Sequence, residues 1–152
     1  MRSLVAVMFA VLAACGASPT GPSELGPLRL TASITRSLIP SGETATITFR
    51  LKNAGSGSVT LDFTDSCQLM AYIANSAGKV VYPEGGSWAC AQVITSLTLA
   101  PGGAKTVDVQ VRAGAAASYP YVALGAGDYS AYARVPSGEY KLQSDPVHFT
   151  VQ

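Results

Sequence analysis

Three cysteines, one histidine and one close pair of aspartates are the side chains of this sequence that could support chemistry. A histidine acts as a catalytic base only when a carboxylate orients it toward a nucleophile. His148 alternates with the apolar residues Val147 and Phe149, which predicts a histidine on the solvent face of a strand. Asp62 and Asp65 fall at a predicted strand end and turn, where an aspartate stabilises the turn. We therefore predict a protein that is not an enzyme, with no catalytic residues and no cofactor.

The first cysteine, Cys15, follows the longest apolar run of the sequence, Leu4 to Ala14. This run is too short to cross a membrane, because a spanning helix needs about 20 apolar residues. With Arg2 before it and small residues at its end, it is typical of a secretory signal. The alternative, a buried N-terminal helix, lacks an amphipathic period. We expect residues 1–14 to be a signal peptide.

The sequence Leu12-Ala13-Ala14-Cys15 resembles the lipobox of bacterial lipoproteins, in which a lipid is attached to the cysteine thiol. The resemblance implies that Cys15 is lipidated and that its lipid binds the protein to a membrane. It also implies a location on the bacterial cell envelope, on its periplasmic or cell-surface face, and in the outer membrane if the host has one. Ordinary secretion, with Cys15 incidental, is the alternative.

The rest of the chain divides into a short tether and one domain. Residues 15–27 are rich in Gly, Pro and Ser and have no hydrophobic period, so we expect a lipidated cysteine followed by a flexible linker. Residues 28–152 are enough for one domain with its own core. Without Arg2 the chain has nine basic and nine acidic side chains and no block of like charge. That balance argues against a nucleic-acid partner.

The domain alternates apolar and polar residues with a period of two, which predicts strands with one buried and one wet face. The clearest runs are LRLTASIT, TATITFRLKN, SVTLDF, KTVDVQV and PVHFTVQ. Further strands are expected around 67–74, 79–82, 88–95 and 128–135. Short strands separated by Gly-rich turns predict an all-β fold, an immunoglobulin-like antiparallel β-sandwich of about 8 strands. In such sandwiches a Gly-x-Tyr places a tyrosine that ties a loop to the sheet, and Tyr129 is the candidate here.

If lipid occupies Cys15, the remaining Cys67 and Cys90 are an even pair. In an exported chain such a pair predicts one disulfide. Metal binding by the same two cysteines is the alternative, but the sequence has no Cys/His cluster to complete a ligand set. We therefore expect a disulfide and no metal.

Several segments, in their order along the chain, resemble the intracellular proteinase inhibitor (BsuPI) domain family. They are Leu51 to Asn53, Thr64 to Ser66, SAGKVVY, LTLAPGG and Gly127 to Tyr129. The resemblance covers the chain from about residue 28 to the C-terminus. It implies an immunoglobulin-like sandwich without catalytic machinery, and inhibition of a serine proteinase.

Three surfaces are candidates for binding a partner. The first is the loop at 113–127, in which Tyr119, Pro120 and Tyr121 are the aromatic and rigid residues. The same residues could instead plug one end of the core. The second is Trp88, for which packing against the Cys67–Cys90 bridge is the alternative. The third is an open sheet edge that accepts a partner strand.

These features together predict a lipid-anchored protein-binding module of the bacterial envelope, with proteinase inhibition as its most specific role. The alternative is a structural or assembly accessory lipoprotein without inhibitory activity. An exposed loop able to enter a proteinase cleft would favour inhibition. A broad apolar patch away from the loops would favour assembly.

Overall fold

The computed structural model describes residues 23–114 and 120–152, in which thirteen strands form. The predicted signal peptide 1–14, Cys15 and Tyr119 lie outside the described residues. A single 3-10 turn, Glu84–Gly86, interrupts the strands. The strands are β1 (Glu24–Leu25), β2 (Leu28–Ile34), β3 (Leu38–Ile39), β4 (Thr44–Asn53), β5 (Val59–Phe63), β6 (Met70–Asn75), β7 (Val80–Tyr82), β8 (Thr95–Leu99), β9 (Ala104–Ala113), β10 (Val122–Leu124), β11 (Gly127–Pro136), β12 (Lys141–Gln143) and β13 (Val147–Val151).

The strands form a β-sandwich, so the predicted all-β, immunoglobulin-like fold is confirmed. One sheet has the order β1-β2-β4-β9-β10, the other has the order β3-β13-β11-β6-β7 with β12 beside β11, and β5 and β8 form a separate ribbon. Two short edge strands depart from the predicted antiparallel arrangement. β10 runs parallel to β9, and β3 runs parallel to β13. Within the described part of the chain, no helix has the length and apolarity that a membrane crossing requires.

Strand β4 shows why the period of two produces this fold. Ala45, Ile47, Phe49 and Leu51 are buried, whereas the residues between them are half-buried or exposed. β4 pairs with β2 along one side and with β9 along the other. Its buried face therefore packs against the opposite sheet at the centre of the core.

Asn53 is the buried polar residue at which the β4–β9 pair gives way to the β5–β8 ribbon. Its side-chain amide donates to the carbonyl oxygens of Gly57, at 2.7 Å, and Leu99, at 3.0 Å. Its Oδ1 accepts the N–H of Gly55 at 2.9 Å. Its backbone N–H donates to the carbonyl of Gly103 at 2.9 Å. One fully buried side chain therefore joins both chain segments that leave the five-stranded sheet of β4 and β9.

The predicted strand around 88–95 is wrong. Residues 87–94 have no regular structure, and β8 begins only at Thr95. In place of strand pairing, these residues are held by the Cys67–Cys90 disulfide and by hydrogen bonds from Trp88 to Ala71 and from Ala91 to Ser66.

The prediction for Tyr129 is confirmed. Its hydroxyl donates to the carbonyl oxygen of Gly125 at 3.0 Å, which ties the loop before β11 to the sheet. The ring also stacks on Phe149 of the neighbouring strand, with 5.6 Å between ring centroids.

We expect Asn53→Ala to lower the free energy of unfolding by about 2 to 4 kcal/mol, because the buried carbonyl of Leu99 and the backbone groups of Gly55 and Gly57 would lose their partner. Asn75→Ala is the matched control, since Asn75 also caps backbone N–H groups, but in an exposed turn. That variant should lose about 1 kcal/mol or less. Urea denaturation measures both values, and equal losses would contradict the role given to Asn53.

Candidate functional site

The connection from β7 to β8, residues 83–94, presents the most exposed large apolar side chains among the described residues. Ile94 is 84% exposed and Val93 is 52% exposed. The connection begins with a tight turn in which Gly85 and Gly86 adopt φ values of 74° and 77°, a conformation that favours glycine. We call residues 83–94 the presenting segment.

The predicted pair Cys67 and Cys90 forms a disulfide that bonds the presenting segment to the connection between β5 and β6. The two Cα atoms lie 5.5 Å apart, within the range that a disulfide spans. Asp65 lies beside the bridge, and its Oδ1 accepts the N–H of Cys67 at 2.8 Å. This bond confirms that Asp65 stabilises the turn. Both sulfurs are bonded to each other, so they do not supply thiolates to a metal.

Hydrogen bonds on either side of the exposed residues add to the disulfide. The N–H of Ser66 donates to the carbonyl of Ala91 at 3.0 Å, and the N–H of Ala91 donates to Oγ of Ser66 at 2.9 Å. At the other end, the hydroxyl of Thr95 donates to the carbonyl of Asp65 at 2.8 Å. The turn at residues 65–67 therefore holds the presenting segment before and after its exposed residues 92–94.

Trp88 anchors the presenting segment to the sandwich. Its indole N–H donates to the carbonyl of Ala71 on β6 at 3.0 Å. Its ring meets the edge of Tyr82 with 5.5 Å between centroids, and both rings pack against the core. Burial raises the pKa of the Tyr82 hydroxyl above its ordinary value. Trp88 is therefore a structural anchor, but its ring packs on Tyr82 and not, as the alternative for this residue had it, on the Cys67–Cys90 bridge.

The presenting segment has the chemistry of a recognition surface. Glu84, exposed at the start of the segment, is its one charged residue, and no charged side chain follows from Gly85 to Ala104. The exposed Val93 and Ile94 therefore offer aliphatic groups among uncharged neighbours. The two titratable thiols of the region are joined in the disulfide. His148 lies elsewhere, exposed on β13 opposite Ser130, as predicted. The residues brought together here can bind an apolar pocket, but they do not form an acid–base pair.

The candidate loop at 113–127 is described only in part. Pro120 is exposed and Tyr121 is half-buried. They line an open hollow of about 440 Å³ together with Tyr82, Asp108 and Gln110. Tyr82 therefore borders both this hollow and the anchor of the presenting segment. A partner role for Tyr119, Pro120 and Tyr121 stays a prediction.

Val93 and Ile94 are the candidate residues that sequence reasoning missed. Their signal was the pair of adjacent apolar residues in AQVIT, which breaks the alternation just before β8. Their exposure depends on contacts with residues 65–67, more than twenty positions earlier, which no local pattern shows.

A protein-family model described as "Intracellular proteinase inhibitor" (BsuPI) matches residues 32–144 of this chain. No curated protein sequence matches the chain at a significant level.

Among solved structures, the CARDB domain of PF1109 from Pyrococcus furiosus is 14% identical, with a TM-score of 0.46, and the match covers 84% of this chain and 97% of that one. The sporulation control protein Spo0M from Bacillus subtilis is 14% identical with a TM-score of 0.43, covering 84% of this chain and 50% of Spo0M. A β-glucosidase from Erythrobacter marinus is 13% identical with a TM-score of 0.44, covering 82% of this chain. This chain spans only 15% of that glucosidase. Similarity at this level transfers no activity.

The predicted location on the bacterial cell envelope is wrong, because the matching family is described as intracellular. That location rested on the apolar run and the four-residue pattern ending at Cys15, which lie outside the described residues. The division of the chain into residues 1–14, 15–27 and 28–152 stays a prediction.

Replacing both Cys67 and Cys90 by serine should lower the free energy of unfolding by about 3.5 kcal/mol, the chain-entropy value for a loop of this length. Cys15→Ser is the control and should leave the value unchanged, since we expect the folded domain to begin only at residue 28. Urea denaturation without reductant measures the difference. If the double variant were as stable as the wild type, the disulfide would not hold the presenting segment in place.

Proposed function

Because the chain belongs to the intracellular proteinase inhibitor (BsuPI) family, we propose that it is a non-enzymatic protein-binding module that inhibits a proteinase. We assign the contact to the presenting segment of residues 83–94 and the inhibitory domain to residues 28–152. The observation that carries this assignment is the exposure of Val93 and Ile94 on a segment held on both sides.

An exposed apolar segment that is already ordered suits a proteinase cleft for an energetic reason. Binding a flexible loop costs the free energy of ordering it. A segment that is already held by a disulfide and hydrogen bonds loses little conformational entropy on binding. Protease–inhibitor complexes are among the tightest known at their interface size. The bonds from Ser66 and Asp65 to the presenting segment supply this ordering before the partner arrives.

An assembly role would favour an apolar patch on a sheet face, and the outer face of β6 and β11 does not offer one. Tyr72 and Tyr132 stack there with 5.3 Å between ring centroids. The guanidinium of Arg134 lies over both rings, 5.4 Å and 5.3 Å from their centroids, and covers them with charge. Among the described residues, the two most exposed large apolar side chains are instead adjacent on the presenting segment. This favours inhibition over the accessory role.

We expect the double variant Val93→Ser and Ile94→Ser to raise the inhibition constant about 30-fold or more, as for the loss of an interface hot spot of about 2 kcal/mol. The measurement is the rate of peptide-substrate hydrolysis by a panel of serine proteinases at increasing concentrations of each variant. Thermal unfolding should be nearly unchanged, since both side chains are exposed.

Leu25→Ser with Leu38→Ser is the matched control, because these leucines are exposed on β1 and β3, away from the presenting segment. It should inhibit as the wild type does. Tyr121→Ala tests the loop at 113–127 in the same assay. Loss of inhibition in Tyr121→Ala, with none in the Val93 and Ile94 variant, would move the contact to that loop.

A further inference from the structure

Ile94 is the side chain of the presenting segment that a partner can surround most completely. It is 84% exposed, against 52% for Val93. The N–H of Val93 donates to the carbonyl of Ala91 at 2.9 Å, so the chain turns tightly at Gln92. The backbone of Val93 is therefore fixed within the segment, and Ile94 follows it as the last residue before β8.

The residue after Ile94 is fixed in a sheet. Thr95 pairs with Phe63 in the β5–β8 ribbon, and its hydroxyl donates to the carbonyl of Asp65 at 2.8 Å. On the other side, Ala91 and Cys90 are bonded to Ser66 and Cys67. The Ile94–Thr95 peptide bond thus lies between anchored residues. The side chain of Ile94, on the N-terminal side of this bond, is exposed to solvent. If a proteinase bound this peptide bond as a substrate, the residues on both sides of the bond would already be fixed in position.

The chemistry of Ile94 selects one kind of specificity pocket. Serine proteinases differ in this pocket, which holds a carboxylate for basic residues, a deep hydrophobic slot for aromatic rings, or a smaller apolar cavity for aliphatic side chains without a ring. Ile94 carries no charge and no ring, and the sequence around it, from Gly85 to Ala104, adds no charge. We propose that Ile94 occupies the specificity pocket of a serine proteinase with a small apolar pocket, of the elastase type. This inference rests on the proposed inhibitory function of the presenting segment.

The substitution Ile94→Arg tests the inference by exchanging the side chain for one that only a pocket with a carboxylate accepts. We expect the wild type to inhibit an elastase-type proteinase about 100-fold more tightly than a trypsin-type one. The variant should reverse that preference by a similar factor. Inhibition constants against both enzymes, measured with chromogenic peptides, give the result.

Two further variants separate the pocket residue from a general effect of charge. Val93→Arg places the same charge one position earlier and should weaken elastase-type inhibition without producing trypsin-type inhibition. Ile94→Val keeps a β-branched aliphatic group and should keep the wild-type preference. Thermal unfolding of each variant verifies that the sandwich is intact.

The outcomes distinguish this inference from the function on which it rests. If the wild type inhibits a proteinase and Ile94→Arg leaves its preference unchanged, Ile94 is not the pocket residue, although the protein is an inhibitor. Wild-type preference for the trypsin-type enzyme would also overturn the inference. If neither the wild type nor either arginine variant slows any serine proteinase, the proposed function itself fails.

Discussion

The buried side chain of Asn53 is the contact on which the arrangement of the sandwich and its presenting segment depends. The β4–β9 pair ends at this residue, and the same two chain segments continue as the β5–β8 ribbon. Its amide reaches Gly57 on one side of this break and Leu99 on the other. A buried amide group must have hydrogen-bond partners. The two chain segments are therefore stable only in the arrangement that places the carbonyls of Gly57 and Leu99 within reach of Asn53. That geometry separates the ribbon, and with it residues 64–69 and 83–94, from the five-stranded sheet of β4 and β9.

The two connections at the far end of the ribbon then stabilise each other. Neither contains a strand, and the Cys67–Cys90 bond and the Ser66–Ala91 pair join them. Trp88 adds a contact to β6 through Ala71. The sandwich thus orders a segment whose aliphatic side chains stay in water. In a protein of the proteinase inhibitor family, this combination of order and exposure is what an inhibitory contact requires.

The strands could be predicted where apolar and polar residues alternate along the sequence and the apolar ones are buried. The pattern of β4 predicts its buried residues one by one, and the Gly-x-Tyr at Tyr129 predicts its bond to Gly125. The disulfide was predicted from the cysteine count together with an expected export that the family description contradicts. The adjacent Val93 and Ile94 were the one local sign of the presenting segment, and they did not predict how it is held. Its shape depends on contacts such as Thr95 with Asp65, thirty residues apart, and a window of neighbouring residues does not contain that information. The short parallel strands β3 and β10 escaped prediction for the same reason.

The most direct test of the inhibitory contact is the position at which a proteinase cuts the folded protein. The chain should be incubated with an elastase-type serine proteinase, and the fragments identified by intact mass spectrometry. The account predicts slow cleavage at one bond, between Ile94 and Thr95, with both fragments retained by the β5–β8 pairing until denaturation. Cleavage first at another site, such as beside Tyr121, or rapid degradation without an intermediate, would contradict it.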